Sequence, residues 1–449
     1  MYRTVPSALV FLLVFGLVLG CEDDDEPKEA PDEGAEPAQA AAEEPEEAPE
    51  EAPDDNPDIA ESLPNGLLLA YAQFQVDDGR VTAKPGPARL ELLYKKDGRW
   101  RTEAIEDPES NVFHKAMVYE PPEGKPSILT ASGMAAAVKL WHKREGEWKA
   151  ETLWEESFGG KFDRMRDIEV ADVYGDGKID IAVGTHDQGV VAMLRPGDEW
   201  KVERIDEKED TFIHEIEIGD LNEDGALEVY ATPSDPNRLE GDARQHGKVV
   251  RYVPKEGNDK TVVAELGERH AKEIYVGDVD GDGTDELYVA VEALTERGDD
   301  DKVKIVEPVE IRRYDAKTKP DEGVVVATLP DRFTRFLTVG DLDGDGQKEM
   351  VAAAFRSGVW QLTPGEDPEK EWKAENIDED SSGFEHAAVV ADLDDDGTDE
   401  LYVAADEQGE LRRYTWQDGE MSREVIHRRP IAGSMMTWNL VPFPVGLLE

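Results

Sequence analysis

Five copies of one acidic motif constrain this chain more than any other feature of its sequence. The stretch GDVDGDGTDELYV at 277–289 places three aspartates on alternate positions, adds Glu286 and continues directly into an apolar run. Similar stretches begin at Asp172, Asp220, Asp341 and Asp392, with 48 to 63 residues between successive starts. Self-similarity at such a period is typical of repeated supersecondary units.

Each acidic motif lies between two predicted β-strands. An apolar-alternating run precedes it, such as IYV before Asp278, and a second run such as LYV follows it. A third run and a fourth run complete the repeat, and no long helical periodicity interrupts them. The sequence therefore predicts four antiparallel strands per repeat. Tryptophans begin four of the predicted fourth strands, where packing is favoured over a sugar-binding role: Trp100, Trp148, Trp200 and Trp372.

Two further repeats lack the acidic motif. YEPPEGKPSILTA, beginning at Tyr119, keeps a strand and Gly124 but not the acids. Before it, LLLAYAQ, ARLELLYKK and RWRTEAI supply second, third and fourth strands, and SMMTWNLVPF at 434–443 supplies a first strand without partners. Pairing the two ends would remove an open sheet edge. We therefore predict an all-β fold, a seven-bladed β-propeller over residues 64–449, with one blade closed by the N- and C-terminal segments.

These residues carry a family resemblance. The pattern D-x-[DN]-x-D-G-x-x-[DE] running into an apolar strand, with DIAVGT at 180–185, resembles the FG-GAP or VCBS repeat of integrin-α-type β-propellers. The resemblance covers the chain from about Leu67 to its C-terminus. Propellers similar to this one include polysaccharide lyases and other carbohydrate-active proteins with chemistry at the channel mouth, so fold alone does not decide function.

The acidic loops have the chemistry of a calcium site. Ca²⁺ takes six to eight oxygen ligands, and side chains at positions 1, 3 and 5 can converge on one ion if the glycine at position 6 allows a sharp turn. The carbonyl of position 7 and the carboxylate of position 9 would complete the shell. The predicted ligands are Asp278, Asp280, Asp282, Thr284 and Glu286; Asp341, Asp343, Asp345, Gln347 and Glu349; Asp392, Asp394, Asp396, Thr398 and Glu400; Asp220, Asn222, Asp224, Ala226 and Glu228; and Asp172, Asp176, Lys178 and Asp180.

An EF-hand begins with the same letters but needs a glutamate at position 12 and a helix on each side. All five loops have Val or Ala at that position and β-type flanks, so the EF-hand interpretation fails. The loops are unequal, because Asn222 replaces one carboxylate and Tyr174 occupies position 3 of the first loop. We expect three to five structural calcium ions, with solvated acidic turns as the alternative.

Composition excludes several functions. The 449 residues have a formal net charge of −55, which repels nucleic-acid phosphates and anionic lipid headgroups. Cys21 is the only cysteine, so the chain has no internal disulfide and no cysteine-based metal site. No H-E-x-x-H, G-x-S-x-G or phosphate-binding loop is present. These absences favour binding over catalysis, and we expect a monomer.

The N-terminus predicts export. Residues 1–20 have one basic residue and a fifteen-residue apolar stretch, which is too short for a comfortable bilayer span but suits a signal peptide. The stretch ends in VLGC at 18–21, which resembles a bacterial lipobox and implies lipidation of Cys21. An ordinary signal peptide or a short anchor is the alternative. We expect a lipid-anchored protein of the bacterial cell envelope, attached to the membrane through this anchor alone.

Residues 21–63 have the composition of a linker. Between positions 22 and 62 there are nineteen Asp or Glu against one Lys, with Pro and Ala and almost nothing apolar to bury. Like-charge repulsion in such a segment predicts a disordered, extended linker. Its expected task is to hold the folded part away from a membrane.

A basic residue stands six positions before each acidic motif. If these side chains point into the central channel, they form a ring at its mouth, on the face opposite the acidic loops, that could hold an anionic ligand. The alternative is structural pairing with the neighbouring Asp167, Glu169, Glu215, Glu217 and Glu273. The candidate ring consists of Arg166, His214, Lys272, Arg335 and His386.

Three functions remain open on the sequence. The first is a calcium-binding propeller that binds a protein or an envelope glycan. The second is a carbohydrate-active enzyme of the lyase type, in which Lys272 and His214 would be the residues to test. The third is a structural spacer. The long insertions at 232–250 and 292–308 lie on the same face as the predicted ring, and long loops on a rigid scaffold often carry recognition.

Overall fold

The computed structural model describes residues 61–449, apart from 134, 160–162, 187, 237–243, 258, 299–301, 418–419, 430 and 432. The described residues form β-strands and one short 3₁₀ turn at Val445–Leu448. The predicted all-β class is therefore confirmed. No helix among the described residues is long and apolar enough to cross a membrane. The predicted signal peptide, Cys21 and nearly all of the predicted linker lie outside the described residues.

The two ends of the chain meet in one sheet, as the sequence predicts. The C-terminal strand pairs antiparallel with the first strand from Asn65↔Pro444 to Gln73↔Met435. A single pair, Ala72↔Val112, joins this set to the next set of four, which gives a nine-stranded sheet. Its strands are β1 (Asn65–Asp77), β2 (Arg80–Pro85), β3 (Ala88–Lys96), β4 (Arg99–Asp107), β5 (Val112–Tyr119), β6 (Ser127–Gly133), β7 (Ala136–Arg144), β8 (Glu147–Glu156) and β31 (Met435–Pro444). We call β31, β1, β3 and β4 set 1, and β5–β8 set 2.

Five separate four-stranded antiparallel sheets follow, one around each acidic motif. Set 3 has β9 (Met165–Ala171), β10 (Asp180–Thr185), β11 (Val190–Arg195) and β12 (Lys201–Glu207); set 4 has β13 (Phe212–Gly219), β14 (Glu228–Asp235), β15 (His246–Tyr252) and β16 (Lys260–Gly267). Set 5 has β17 (Ala271–Gly277), β18 (Glu286–Val291), β21 (Val309–Tyr314) and β22 (Val324–Leu329). Set 6 has β23 (Thr334–Gly340), β24 (Glu349–Ala354), β25 (Val359–Thr363) and β26 (Lys373–Asp378); set 7 has β27 (Ala388–Ala391), β28 (Glu400–Ala405), β29 (Glu410–Gln417) and β30 (Glu420–Arg428).

The insertion at 292–308 forms its own small hairpin between the second and third strands of set 5. Its strands β19 (Leu294–Arg297) and β20 (Val303–Glu307) pair with each other and with no other described strand. The insertion at 232–250 is partly absorbed by β14 and β15, which extend to Asp235 and start at His246. Both insertions therefore join second strands to third strands, at the end of the sheets opposite the acidic loops.

Burial follows strand position. Second strands such as β10, β18, β24 and β28 are buried along their whole length, whereas fourth strands such as β12 and β26 are mostly exposed or half-buried. A strand buried on both faces must carry a continuous apolar run, and DIAVGT, ELYVAV and EMVAAA do so. The second strands therefore lie between neighbouring sheets, and the fourth strands form their solvent edge.

The sets follow one another in a closed order. Apolar clusters fill the spaces between sets 1 and 2, 2 and 3, 3 and 4, 4 and 5, 5 and 6, and 6 and 7. A further cluster joins set 7 to set 1, through residues such as Tyr402 and Leu69. First strands contact their neighbours in the same cyclic order, including β27 with β31 and β31 with β5. Every set therefore buries apolar surface against two others.

Candidate functional site

The five acidic loops join the first strand to the second strand in sets 3 to 7, and they share one geometry. In each loop the glycine at position 6 has a positive φ, 91° at Gly283, which favours a residue without Cβ. Its N–H donates to the aspartate at position 1, as Gly283 does to Asp278 over 3.1 Å. Gly281 N–H donates to the other oxygen of Asp278 over 2.7 Å. The loop backbone therefore fixes the first carboxylate of each motif.

Three of the loops bring three carboxylates together. One oxygen from each residue lies within 4.8 Å of the other two in these groups. The loops at Asp172 and Asp220 form no such group among the described residues, which agrees with their weaker ligand sets. The groups are Asp278, Asp280 and Asp282; Asp341, Asp343 and Glu349; and Asp392, Asp394 and Asp396.

In two of these loops a carboxylate is costly to ionise without a cation. Burial, followed by the charges of neighbouring aspartates, raises the pKa of Glu349 to about 7. Burial and the charge of Glu400 raise the pKa of Asp394 to about 6. One oxygen of Asp341 and one of Asp394 are buried without a hydrogen-bond partner among the described residues. These all-oxygen groups therefore fit a hard divalent cation such as Ca²⁺.

Third-strand arginines approach the acidic loops, a feature that the sequence analysis missed. Arg313 lies 2.9 Å from Glu286 and 3.1 Å from Asp280. Arg413 lies 2.6 Å from Glu400, and Arg251 and Arg195 pair similarly with Glu228 and Asp180. The sequence does contain this pattern, since a basic residue lies near the end of the third strand in four of the five motif-bearing sets.

The loop at Asp341 lacks this arginine. Gln361 pairs with Val351 in the register in which Arg313 pairs with Tyr288, so a neutral amide stands where set 5 has a guanidinium. The carboxylate of Glu349 is almost fully buried, and its one hydrogen bond is from the Leu342 N–H. This position-9 carboxylate therefore has no cationic side chain paired with it in the described part of the chain, unlike its counterparts in the other four loops.

Four of the five predicted ring residues line one pocket at the opposite end of the sheets. They are carried by the starts of β9, β13, β17 and β23, where register shifts push one or two residues out of the strand pairing. The bulge in β31 places Trp438 in the same pocket. We call this the basic pocket, and it is lined by Arg166, His186, Phe212, His214, Gln245, Lys272, Arg335, Phe384, Glu385 and Trp438.

His386, the fifth predicted ring residue, does not line the basic pocket. It is fully buried, its Nδ1 lies 2.6 Å from the Ala354 carbonyl oxygen, and its Nε2 lies 2.7 Å from Ser381 Oγ. Its backbone φ of 57° is unusual for a non-glycine residue. The preceding residue, Glu385, lines the pocket instead, so set 7 contributes an acid where the sequence predicted a base.

The three cationic side chains of the basic pocket differ in their ion pairs. Arg335 pairs with Glu385 over 2.7 Å and with Glu292 over 3.3 Å. Arg166 has a longer pair with Glu385, 3.7 Å, and its guanidinium lies 5.0 Å from the Trp438 ring centre. Lys272 is 7% exposed and forms no hydrogen bond or ion pair with the described residues. The alternative prediction paired the ring with the acids that follow it along each strand. The ion pairs of the ring are instead with Glu292 and Glu385.

His214, which lines the basic pocket, is kept neutral by its surroundings. Burial, and then the charge of Lys272, hold the pKa of His214 well below its usual value. Its Nε2 lies 2.9 Å from Ser234 Oγ, and its ring stacks on His270 at 5.7 Å. His270 lies 3.0 Å from Glu292. Positive charge in the pocket therefore comes from Arg166, Lys272 and Arg335.

Five carboxylates surround one lysine deeper along the first strands. Lys115, on β5, lies 3.0 Å from Asp167, 2.6 Å from Glu169 and 3.4 Å from Glu215. Glu217 and Glu273 also act on its charge, and Glu273 accepts a hydrogen bond from the Leu337 N–H. We call these six residues the inner acidic cluster. The sequence analysis missed Lys115 because set 2 lacks an acidic motif to align, although its first strand matches that of set 3.

The inner acidic cluster should make stability depend on pH. Burial, and then the charge of Glu169, raise the pKa of Glu217 well above its usual value. Burial and the charge of Asp167 do the same for Glu215, and burial does so for Glu273 despite the opposing charges of Lys115 and Arg166. A raised carboxyl pKa contributes stability below the ordinary carboxyl range, and that contribution is lost as pH rises through the folded-state pKa.

We therefore expect Glu217→Gln to stabilise the fold more at pH 8 than at pH 5, by about 1 kcal/mol or more. Buried neutral histidines change wild-type stability in the opposite direction over the same range, so the quantity to measure is the difference between variant and wild type. Urea unfolding at both pH values provides it. Glu123→Gln, at an exposed position, is the matched control. An equal difference at both pH values would contradict the prediction.

Comparisons with known proteins provide a fold and no family. No protein-family model matches the chain, and no curated protein matches it. Among solved structures, the chain is similar to a proposed 6-phosphogluconolactonase from Bacteroides uniformis ATCC 8492, with 10% sequence identity and a TM-score of 0.52. The match covers 86% of this chain and all of that one. At this identity the likeness concerns the fold alone.

Proposed function

We propose that this protein is an exported, lipid-anchored, calcium-binding β-propeller of the FG-GAP/VCBS type that binds a ligand at the basic pocket. Its partner is a protein or an envelope glycan that presents an anionic group. The proposal combines the acidic motifs, the cyclic order of the strand sets and the pocket. Each part can be tested separately.

The seven-bladed architecture is supported by the cyclic packing. Each of the sets 1 to 7 supplies four antiparallel strands, and the apolar cluster between sets 7 and 1 closes the order. Pairing of β31 with β1 would then be the closure that joins the chain ends in one blade. First strands would line a central channel, with the acidic loops on one face and the basic pocket at the other.

Calcium is supported by the donor groups of three loops. The residues that would hold it at positions 1, 3, 5 and 9 are Asp278, Asp280, Asp282 and Glu286 in set 5, with equivalent residues in sets 6 and 7. A bound ion would supply positive charge that removes repulsion among these carboxylates and would pin the first strand to the second. Its proposed role is structural.

Ligand binding rests on one observation: Lys272 is buried in the basic pocket without an ion pair among the described residues. Burying an ammonium group without a partner costs free energy. A buried charge in a cleft without a close ion partner is a candidate for a functional site. Within the fold the charge of Lys272 acts on Glu292 from beyond ion-pair distance, and a structural spacer gains little from such a group, so this residue favours a binding site over a scaffold.

A binding screen tests this proposal. Full-chain protein is presented to arrays of glycans, peptides and envelope extract, with and without Ca²⁺, and Lys272→Ala and His214→Ala are screened beside it. We expect a ligand that wild type retains and Lys272→Ala loses by at least tenfold in affinity. Unchanged binding by both variants would remove the basic pocket from the function.

The alternative is an enzyme, and the neutral state of His214 favours it. A neutral imidazole beside a lysine has the parts of a general base and a charge-neutralising group. The chemistry would be proton abstraction next to a carboxylate in an anionic sugar chain. Incubation of full-chain protein with uronate polysaccharides, followed by measurement of chain cleavage, tests it. Cleavage that His214→Ala abolishes would establish the enzyme; binding without cleavage would exclude it.

A further inference from the structure

We propose that the basic pocket binds a single carboxylate group carried by a slender aliphatic chain, as in an acidic peptide side chain. This inference rests on the proposed ligand-binding function and specifies its chemistry. Three properties of the pocket support this inference: hydrogen-bond donors without acceptors, one more arginine or lysine than glutamates, and a narrow cavity.

Two buried donors in the pocket have no acceptor. Lys272 makes no hydrogen bond or ion pair with the described residues. The indole N–H of Trp438 is likewise buried without a partner among them. Arg166 lies over the Trp438 ring, and its one ion pair with a described residue is the 3.7 Å contact with Glu385. An anionic oxygen ligand is the chemical group that could satisfy all three.

The charge balance selects a monoanion. Arg166, Lys272 and Arg335 face Glu292 and Glu385, so the arginine and lysine side chains of the pocket outnumber its glutamates by one. The inner acidic cluster lies beyond, and Arg166 already acts on the charges of Glu215 and Glu273. A dianion such as a phosphate monoester would therefore leave excess negative charge beside buried carboxylates. A single carboxylate would not.

The narrowness of the pocket limits which chemical group can bear the carboxylate. The pocket has a free volume of about 20 Å³, so only the narrow end of a ligand can enter it. Its aromatic walls are themselves buried, with Phe212, Phe384 and Trp438 each less than 10% exposed. A sugar ring would have no open aromatic face to stack on and no space to enter. A carboxylate at the end of a flexible methylene chain can approach end-on, with its chain remaining at the entrance to the pocket.

Binding measurements on the full chain test this inference. The probes are a capped Gly-Glu-Gly peptide, its Gly-Gln-Gly counterpart, glucuronate and inorganic phosphate, each titrated by calorimetry and by thermal shift. We expect the glutamate peptide to bind at least tenfold more tightly than the other three probes. Lys272→Met should abolish this binding, Lys272→Arg should retain part of it, and the exposed control Lys201→Met should leave it unchanged.

Stability separates a binding role from a structural one. Lys272→Met should melt at the same temperature as wild type or higher, because it removes a buried ammonium group without an ion pair. A lower melting temperature would assign Lys272 to the fold and overturn the inference. Tighter binding of glucuronate or phosphate, lost in Lys272→Met, would overturn the carboxylate side chain as the ligand but leave the proposed binding function standing. Failure of all four probes would overturn this inference, while the broader screen decides the binding function itself.

Discussion

Replacement of Lys115 by methionine is expected to destabilise the fold by about 3–5 kcal/mol. The side chain is the one cation within 4 Å of Asp167, Glu169 and Glu215 among the described residues, and it is mostly buried. Methionine has a similar length and keeps the packing, so the loss would be electrostatic. Urea unfolding at pH 7 measures it, and the exposed Lys201→Met is the control.

A second variant distinguishes charge from packing at Lys115. Adding Glu169→Gln to Lys115→Met should recover part of the lost free energy, since it removes one uncompensated carboxylate. The deficit of Lys115→Met should also shrink as pH falls toward 5, because the remaining carboxyl groups take up protons. A deficit that is the same at every pH and in the double variant would show that the lysine acts through packing alone.

Removal of divalent ions is the second change with a large expected effect. A site saturated tenfold contributes about 1.4 kcal/mol, so three sites would contribute about 4 kcal/mol. We expect a chelator to lower the melting temperature, excess Ca²⁺ to restore it, and elemental analysis of protein purified in Ca²⁺ to recover at least three ions per chain. Melting behaviour that a chelator does not change, with no metal recovered, would contradict the calcium proposal.

The loop at Asp341 is expected to bind calcium most tightly. Glu349 pairs with no arginine that the structure describes, whereas Glu286 and Glu400 already pair with Arg313 and Arg413. Gln361→Arg should therefore weaken the tightest site in a calorimetric titration by about tenfold and leave the others unchanged. Gln75→Arg, on an exposed position of β1, is the control. Equal affinity of the three loops would show that the arginines do not compete with the ion.

Much of the local architecture could be read from sequence. Alternation of apolar residues around each acidic motif predicted β9 and β10, and the equivalent strands of the later sets, because side chains alternate faces along a strand. Glycine at position 6 predicted a sharp turn, and the structure has this residue in the left-handed region, which a residue without Cβ adopts at little cost. The unpartnered apolar run at 434–443 predicted the pairing of β31 with β1. These features depend on residues close in the chain or on a simple count of strands.

The predicted ring shows where such reasoning stops. Arg166, His214, Lys272 and Arg335 do converge, but His386 turns away and Glu385 takes its place. The difference lies in backbone geometry. Bulges turn the first four residues toward the pocket, whereas the left-handed backbone conformation of His386 turns its side chain away. No residue type in the sequence marks these register shifts. The pairing of Arg335 with Glu292 and Glu385 likewise joins three different sets.

Sequence alone determined the repeating β-strands, the acidic loops with their oxygen donors, and the excess of negative charge, because each follows from residue type and spacing along the chain. Tertiary structure alone decided which charges neutralise which. It placed Lys115 among acids from three other strands, arginines of third strands against the loops, and Lys272 in a pocket where no described residue forms an ion pair with it. Coulomb energies depend on distance and burial, and both are set only when sheets far apart in the chain pack together.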